Sequence, residues 1–358
     1  MLLLPLEIDC WLEQIQLSIS TSNNGSSTLT YQNATGAQIL VPGYGDVWSV
    51  AYLGKNDQGD TRGWGLITQI LQEQYGYVEG KNLRAAPFDW RLGPGHQMIQ
   101  DQFRPLKLLI EETYRINNDT RVAVASISMG GPYFATFLSS GLVDQAWKDK
   151  YLDCFISLSG VFAGSSLAIN YLVNVVPHWY QNTVLMRNTL QSLGSVAWLL
   201  PGYSGPNGPW ANDHYFVSTP ARNYSAADML QLLEDAGTSQ SAQAIMKQLI
   251  ADGYMQSFKP PGVPTYCVRG YNISTEDSLQ FFKSPPSSKE NWFDEEPSNI
   301  IFGDGDGTVL TPSLMMCESW SEKQTQPVYS IPFPNMGHAA ALSDPRVIAL
   351  MEKILVRS

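Results

Sequence analysis

Four cysteines in 358 residues, none of them in a C-x-x-C pair, leave this chain without the spacing of a zinc ribbon or a dithiol redox site. Histidine is equally scarce, with four in all, so any chemistry that needs an imidazole has few places to find one. No run approaches the ~18 consecutive apolar residues needed to span a bilayer, and the longest candidates, such as Val196 to Leu200, are far shorter. Cations are also short: 22 Lys and Arg face 33 Asp and Glu, for a net charge of −11 and a pI near 4.8. That balance argues against nucleic acid or an anionic membrane as an electrostatic partner. The apolar start from Met1 to Cys10 lacks both a basic opening and a small-residue cleavage site, so it does not read as a secretory signal.

What is present describes a globular protein, 44% hydrophobic and only 15% charged. The length suits one large α/β domain carrying an insertion. Five N-x-S/T sequons, at Asn24, Asn33, Asn118, Asn223 and Asn272, lie mostly in polar stretches and favour a secretory-pathway protein. Cys154, inside Cys-Phe-Ile-Ser-Leu, reads as a buried thiol.

From Gly36 onward, strand and helix patterns alternate as in a mostly parallel sheet with helices on both faces. Strands are expected at Ala37 to Val41, near Asn82 to Pro87, and at Arg121 to Ala125 and Cys154 to Ser159. Helices are expected at Gly63 to Gln74, Gln97 to Ile116 and Gly130 to Ser140. Between about Ala163 and Pro260 the sequence turns Trp-, Pro-, Gly- and Asn-rich, with one helical piece at Ala226 to Gly237, and reads as a cap. Strands return at Pro264 to Gly270, Asn299 to Phe302 and Pro327 to Pro332, before a last helix from Asp344 to Val356.

The stretch Arg121-Val-Ala-Val-Ala-Ser-Ile-Ser128-Met-Gly-Gly131 runs from a strand into small residues around Ser128. A G-x-S-x-G elbow carries its nucleophile on a strained strand-to-helix turn and needs small residues two before and two after it. Ser126 and Gly130 meet that need, although an ordinary turn would fit as well. A serine nucleophile requires a histidine base and an orienting acid, in the order Ser, Asp, His for an α/β-hydrolase. His96 precedes the serine, and His178 and His214 fall in the insertion; His338 alone follows a late strand and precedes the last helix. Two aspartates sit on the turn Phe302-Gly-Asp304-Gly-Asp306-Gly-Thr-Val309. A calcium loop is the competing reading, but the ligand series and closing Glu of an EF-hand are missing. Asp306 is the choice for the acid, with Asp304 shaping the turn. The Met129 N–H is the expected oxyanion donor. Pro42-Gly43-Tyr44 supplies either the second donor or no more than a tight turn. No metal or cofactor is called for.

Several motifs then resemble one family. Val41-Pro-Gly-Tyr-Gly45, Arg84-Ala-Ala-Pro-Phe-Asp89-Trp90-Arg91, Ala146-Trp-Lys-Asp-Lys-Tyr151, Val217-Ser-Thr-Pro, Pro261-Gly-Val-Pro-Thr-Tyr-Cys267 and Phe302 to Val309 are similar to lecithin–cholesterol acyltransferase and lysosomal phospholipase A, in order along nearly the whole chain. The resemblance implies an α/β-hydrolase that moves a fatty acyl group from a phospholipid to water, a sterol or another lipid alcohol at a membrane or lipoprotein surface. It matches Ser128, Asp306 and His338 to the triad and Met129 to an oxyanion donor. It also pairs Cys267 with Cys317, which fits a lysosomal or secreted protein.

By the same resemblance, residues 1–35 are the remnant of a lid or membrane-binding region, 36–162 and 262–358 the hydrolase core, and 163–261 the cap. Three departures stand out. Ile127 replaces the family's histidine before the nucleophile, and Leu158-Ser-Gly-Val-Phe-Ala-Gly164 replaces Ala-Pro-Trp-Gly-Gly. The family's N-terminal region, with its first strand and a disulfide-closed lid, has no counterpart in this sequence. That leaves Cys10 without its usual partner, weakens the assignment of Tyr44, and sets a second reading beside the first: a silent lipid-binding relative. Trp179, Trp198 and Trp210 in the cap either touch acyl chains or pack, and the Asp89–Arg91 pair is expected to be structural.

Overall fold

The computed structural model describes residues 5–23, 27–56, 59–173, 182–203, 208–255, 258–282 and 296–356. Asn24, His178 and Trp179 lie outside the described residues. The strands in chain order are β1 Leu17–Asn23, β2 Ser27–Asn33, β3 Tyr52–Asn56, β4 Gly59–Arg62, β5 Val122–Ile127, β6 Leu152–Leu158, β7 Val217–Ser218, β8 Asn223–Tyr224, β9 Thr265–Tyr271, β10 Ile273–Gln280, β11 Asn299–Gly305 and β12 Val328–Pro334.

The central sheet has the order β12-β9-β6-β5, with every neighbouring pair parallel. A parallel sheet must be covered on both faces, so its inner strands read as unbroken apolar runs. The run Leu-Asp-Cys-Phe-Ile-Ser-Leu of β6 is buried almost throughout for that reason. One face packs on the helices Arg104–Ile116 and Gly130–Ser139, through Leu106, Ile110, Phe134 and Phe137 against Phe155. The other packs on the helices Gly65–Tyr75 and Pro345–Leu355, where Leu71, Val347 and Met351 meet Cys154, Ile156 and Val268. This helix–sheet–helix layering is an α/β fold, as the alternating pattern predicts.

A second sheet has the order β11-β10-β7-β8. Its β10–β11 ribbon leaves the end of β9 through Asn272 and returns at Gly305. The described residues of 163–261 include four helices that sequence analysis did not anticipate, Leu167–Val173, Thr183–Ser192, Gly194–Trp198 and Gln240–Ala251. Trp198 and Trp210 are buried there, and the Trp210 indole donates to the Ala163 carbonyl.

Two expected strands do not form. Among the described residues, 37–41 and 82–87 join no ladder, Leu83 making only an isolated bridge with Glu79; just beyond the first segment the Gly45 N–H donates to Ala85 O at 2.8 Å. Pro42 and Pro87 have no N–H with which to extend it. Beyond Asn299 to Phe302 the last ribbon strand runs on to Gly305, and its partner β10, too polar to read as a strand, is held by that pairing. The expected helix from Gln97 to Ile116 is continuous but includes a π-turn over Ile99–Phe103.

The N-terminal helix Pro5–Ile15 and the β1–β2 hairpin pack on the core through Leu17, Leu29 and Tyr31 and are bonded to it by several side chains, of which Arg91 reaches both elements. Arg91, 2% exposed, grips Asp89 through both oxygens at 2.9 and 2.7 Å. It also donates to the Ile15 carbonyl and the Asn33 Oδ1, at 3.2 and 2.8 Å. Removing one partner of a buried pair leaves the other charged and unsatisfied. Arg91→Ala is therefore expected to lower the unfolding free energy by about 3–5 kcal/mol, as read from urea denaturation followed by tryptophan fluorescence.

Candidate active site

Ser128 follows β5 directly and precedes the helix Gly130–Ser139. Its φ is +54°, a left-handed conformation unusual for a residue with a Cβ, and strain of this kind is characteristic of a nucleophile elbow. The bend is pinned on both sides: its N–H donates to Leu158 O at 3.0 Å, and its carbonyl accepts from Gly131 N at 3.0 Å. The small-residue requirement is visible in the contacts. A Cβ on Gly130 would sit 3.2 Å from that of Ser126, and one on Gly131 would lie 3.0 Å from the Gly160 Cα.

His338 reaches Ser128 from the loop after β12. Its Nε2 lies 2.8 Å from Ser128 Oγ and its Nδ1 lies 2.7 Å from Asp306 Oδ2. Because the carboxylate accepts, Nδ1 carries the proton and Nε2 faces the serine hydroxyl with its lone pair. Asp306, only 1% exposed, is satisfied at its other oxygen by the Thr308 and Val309 N–H groups at 3.1 and 2.9 Å. Its backbone takes part too, accepting from His338 N at 2.8 Å. Asp304 stands aside and clamps the turn, accepting from Asn272 N at 2.6 Å and Thr311 Oγ1 at 2.5 Å.

Two supports were not evident in the sequence. Gly270 permits a close pass of the histidine loop: a Cβ there would stand 1.9 Å from Met336 O and 3.1 Å from the Asp306 Cβ. Asn272, noted above only as a sequon, donates through Nδ2 to Asn335 Oδ1 at 2.7 Å and through its N–H to Asp304, and so links the turn that carries Asp306 to the loop that carries His338. Both asparagines adopt positive φ, +65° and +56°, and the enrichment of asparagine in that conformation is the signal that could have found them.

The Met129 N–H, at the head of the helix that follows Ser128, donates to no other group among the described residues. The turn carrying Tyr44 is held by Arg84 Nε donating to Gly45 O at 3.1 Å. Burial, and then the Tyr44 phenol beside it, raise the pKa of Tyr133 on the helix after Ser128. Of the remaining histidines, His96 lines a cavity with Tyr31 and Asp252, and His214 lies 2.9 Å from Asp277; neither meets Ser128. Cys267 and Cys317 are disulfide-bonded, tying β9 to the segment Met315–Glu322. Cys10 is exposed and Cys154 buried. Asn33, Asn118, Asn223 and Asn272 are all exposed. No group of side chains that could hold a metal ion occurs among the described residues.

A parallel sheet covered on both faces, with a left-handed serine at the end of one strand and a histidine after a later one, defines an α/β-hydrolase. The profile of the lecithin:cholesterol acyltransferase family matches residues 1–259 and 239–344, and the chain belongs to that family. It is 31% identical to the lysosomal phospholipase A and acyltransferase of Rattus norvegicus, over 99% of this chain and 80% of that protein. It is 32% identical to the phosphatidylcholine-sterol acyltransferase of Gallus gallus, over 91% of this chain and 73% of the relative, and 29% identical to the Homo sapiens protein of the same name, over 94% and 70%.

Gly270→Ala is expected to displace the histidine loop while leaving both core layers packed. The proton NMR spectrum tests this through the downfield imidazole resonance of the Nδ1–H bound to Asp306, which should be lost while the far-UV circular dichroism is retained.

Proposed function

We propose that this protein cleaves an acyl ester of a glycerophospholipid through an acyl-serine intermediate and passes the acyl group to water, a sterol or another lipid alcohol. The observation that carries the reading is the unbroken hydrogen-bonded chain from Ser128 Oγ through His338 to Asp306. As Ser128 Oγ attacks the ester carbonyl, its proton passes to His338 Nε2, and the imidazolium is stabilised by Asp306. The same proton then goes to the departing glyceryl oxygen, leaving the acyl group on the serine. In the second half, His338 takes a proton from the acceptor, whose oxygen attacks the acyl-serine and regenerates Ser128.

The Met129 N–H is the first oxyanion donor, because it stands next to the nucleophile with no other bond among the described residues. The Tyr44 N–H is the candidate for the second, in a turn beside Tyr133. The lipid substrate is supported by the relatives, which are named as phospholipase A and acyltransferase or as phosphatidylcholine-sterol acyltransferase. Lysosomal or secreted placement is supported by the first of those names, the disulfide and the exposed sequons. No helix among the described residues is long and apolar enough to cross a membrane, so contact with lipid at a surface is the mode we favour. The division into residues 1–35, a core of 36–162 and 262–358, and a cap of 163–261 belongs to this proposal.

The protein should release fatty acid from phosphatidylcholine vesicles and, when a sterol is included, form sterol ester, both followed by mass spectrometry. Ser128→Ala should lower either rate by about 10⁴–10⁶-fold, and Asp306→Asn by about 10⁴-fold because the imidazole loses its orienting partner. A folded wild-type chain that neither turns over phospholipid nor reacts with a fluorophosphonate would instead support the silent lipid-binding reading, which Ile127 motivates.

A further inference from the structure

On the β10–β11 ribbon, Glu276 pairs in register with Phe302. Directly opposed residues of antiparallel strands share a face, with Cβ atoms about 5 Å apart, so Phe302 and Glu276 lie on one face of the ribbon. Phe302 is 58% exposed although it is a large apolar residue. From the helix Leu167–Val173, Asn170 Nδ2 donates to Glu276 Oε1 at 2.6 Å. Tyr171 follows it, 45% exposed and close enough to feel the charge of Glu276. No lysine, arginine or histidine among the described residues forms an ion pair with Glu276. A partly buried carboxylate held by one amide and bordered by two exposed aromatic rings has the makings of a cation site, since ring faces carry negative potential and attract quaternary ammonium groups.

We propose that Glu276, Phe302 and Tyr171 form a subsite for the quaternary ammonium of a choline head group. The subsite rests on the reading of the protein as one that acts on phospholipids. Phe302 lies four residues from Asp306, roughly 13 Å along the strand, so the subsite sits on the arm that returns to the triad. Exposed Ile300, two residues before Phe302 on the same face of the strand, adds apolar surface beside it. An anionic head group would meet a carboxylate there, which gives the site its selectivity. Burial raises the Glu276 pKa above the ordinary carboxyl value. The ionised form binds the cation, so affinity should increase as pH rises through that raised pKa.

Titration calorimetry on the Ser128→Ala protein requires no turnover and keeps this test separate from that of the triad. Dodecylphosphocholine below its micelle concentration should bind, and adding Glu276→Gln should weaken it about 10-fold while dodecyl maltoside keeps its affinity within two-fold. Phe302→Leu, which keeps apolar bulk but removes the ring, should weaken dodecylphosphocholine by about 3-fold. In the Ser128 protein, Glu276→Gln should lower the ratio of phosphatidylcholine to phosphatidylglycerol hydrolysis in vesicles about 10-fold. The subsite is overturned if dodecylphosphocholine does not bind, if Glu276→Gln leaves its affinity unchanged, or if both amphiphiles weaken equally.

Discussion

Burying a carboxylate is costly unless each oxygen finds a donor, and the chemistry end of this molecule is arranged around meeting that demand for Asp306. Two consecutive amides, of Thr308 and Val309, serve one oxygen, and they can point inward only because the turn between them and Asp306 passes through Gly307 at φ +89°. The imidazole of His338 serves the other oxygen, and the His338 amide serves the Asp306 carbonyl. The two loops therefore complete each other's hydrogen bonding. Gly270 lets them meet, and the Asn272–Asn335 contact locks them at their outer edge.

Against that fixed pair, Ser128 is set by a different force. Its left-handed backbone is unfavourable in itself and persists because the neighbouring buried strand β6 accepts its N–H through Leu158 O and the buried helix after it donates Gly131 N–H to its carbonyl. Strain on one side and a satisfied buried charge on the other bring three groups from distant parts of the chain to within hydrogen-bonding distance.

Those elements whose periodicity arises from burial were legible in the sequence. The apolar run of β6, the helix faces of Arg104–Ile116 and Pro345–Leu355, and the small residues around Ser128 all announce themselves, because the sheet core dictates their composition. The order of Ser128, Asp306 and His338 was legible for the same reason: topology places them after particular strands. What the sequence conceals is contact that depends on register or on partners far along the chain. Ile-Ser-Thr-Glu-Asp-Ser-Leu-Gln has no strand signature, and β10 exists because β11 and β7 flank it. Glu276 and Phe302 look unrelated until the register sets them side by side. Conversely, residues 37–41 read as a short apolar strand yet join no ladder among the described residues, which shows that pattern proposes pairing and only a partner completes it.

The disulfide between Cys267 and Cys317 closes a ring that holds the end of β9, the whole β10–β11 ribbon and Asp306, while Ser128 and His338 lie outside it. A single backbone cut anywhere in the ring would therefore yield two pieces that remain covalently one molecule, with Asp306 still joined to Ser128 and His338 through the main chain or the disulfide. In a compartment rich in proteases, such a ring turns what would be loss of a segment into a nick, and only reduction of the bond would then release the acid-bearing arm from the rest of the site.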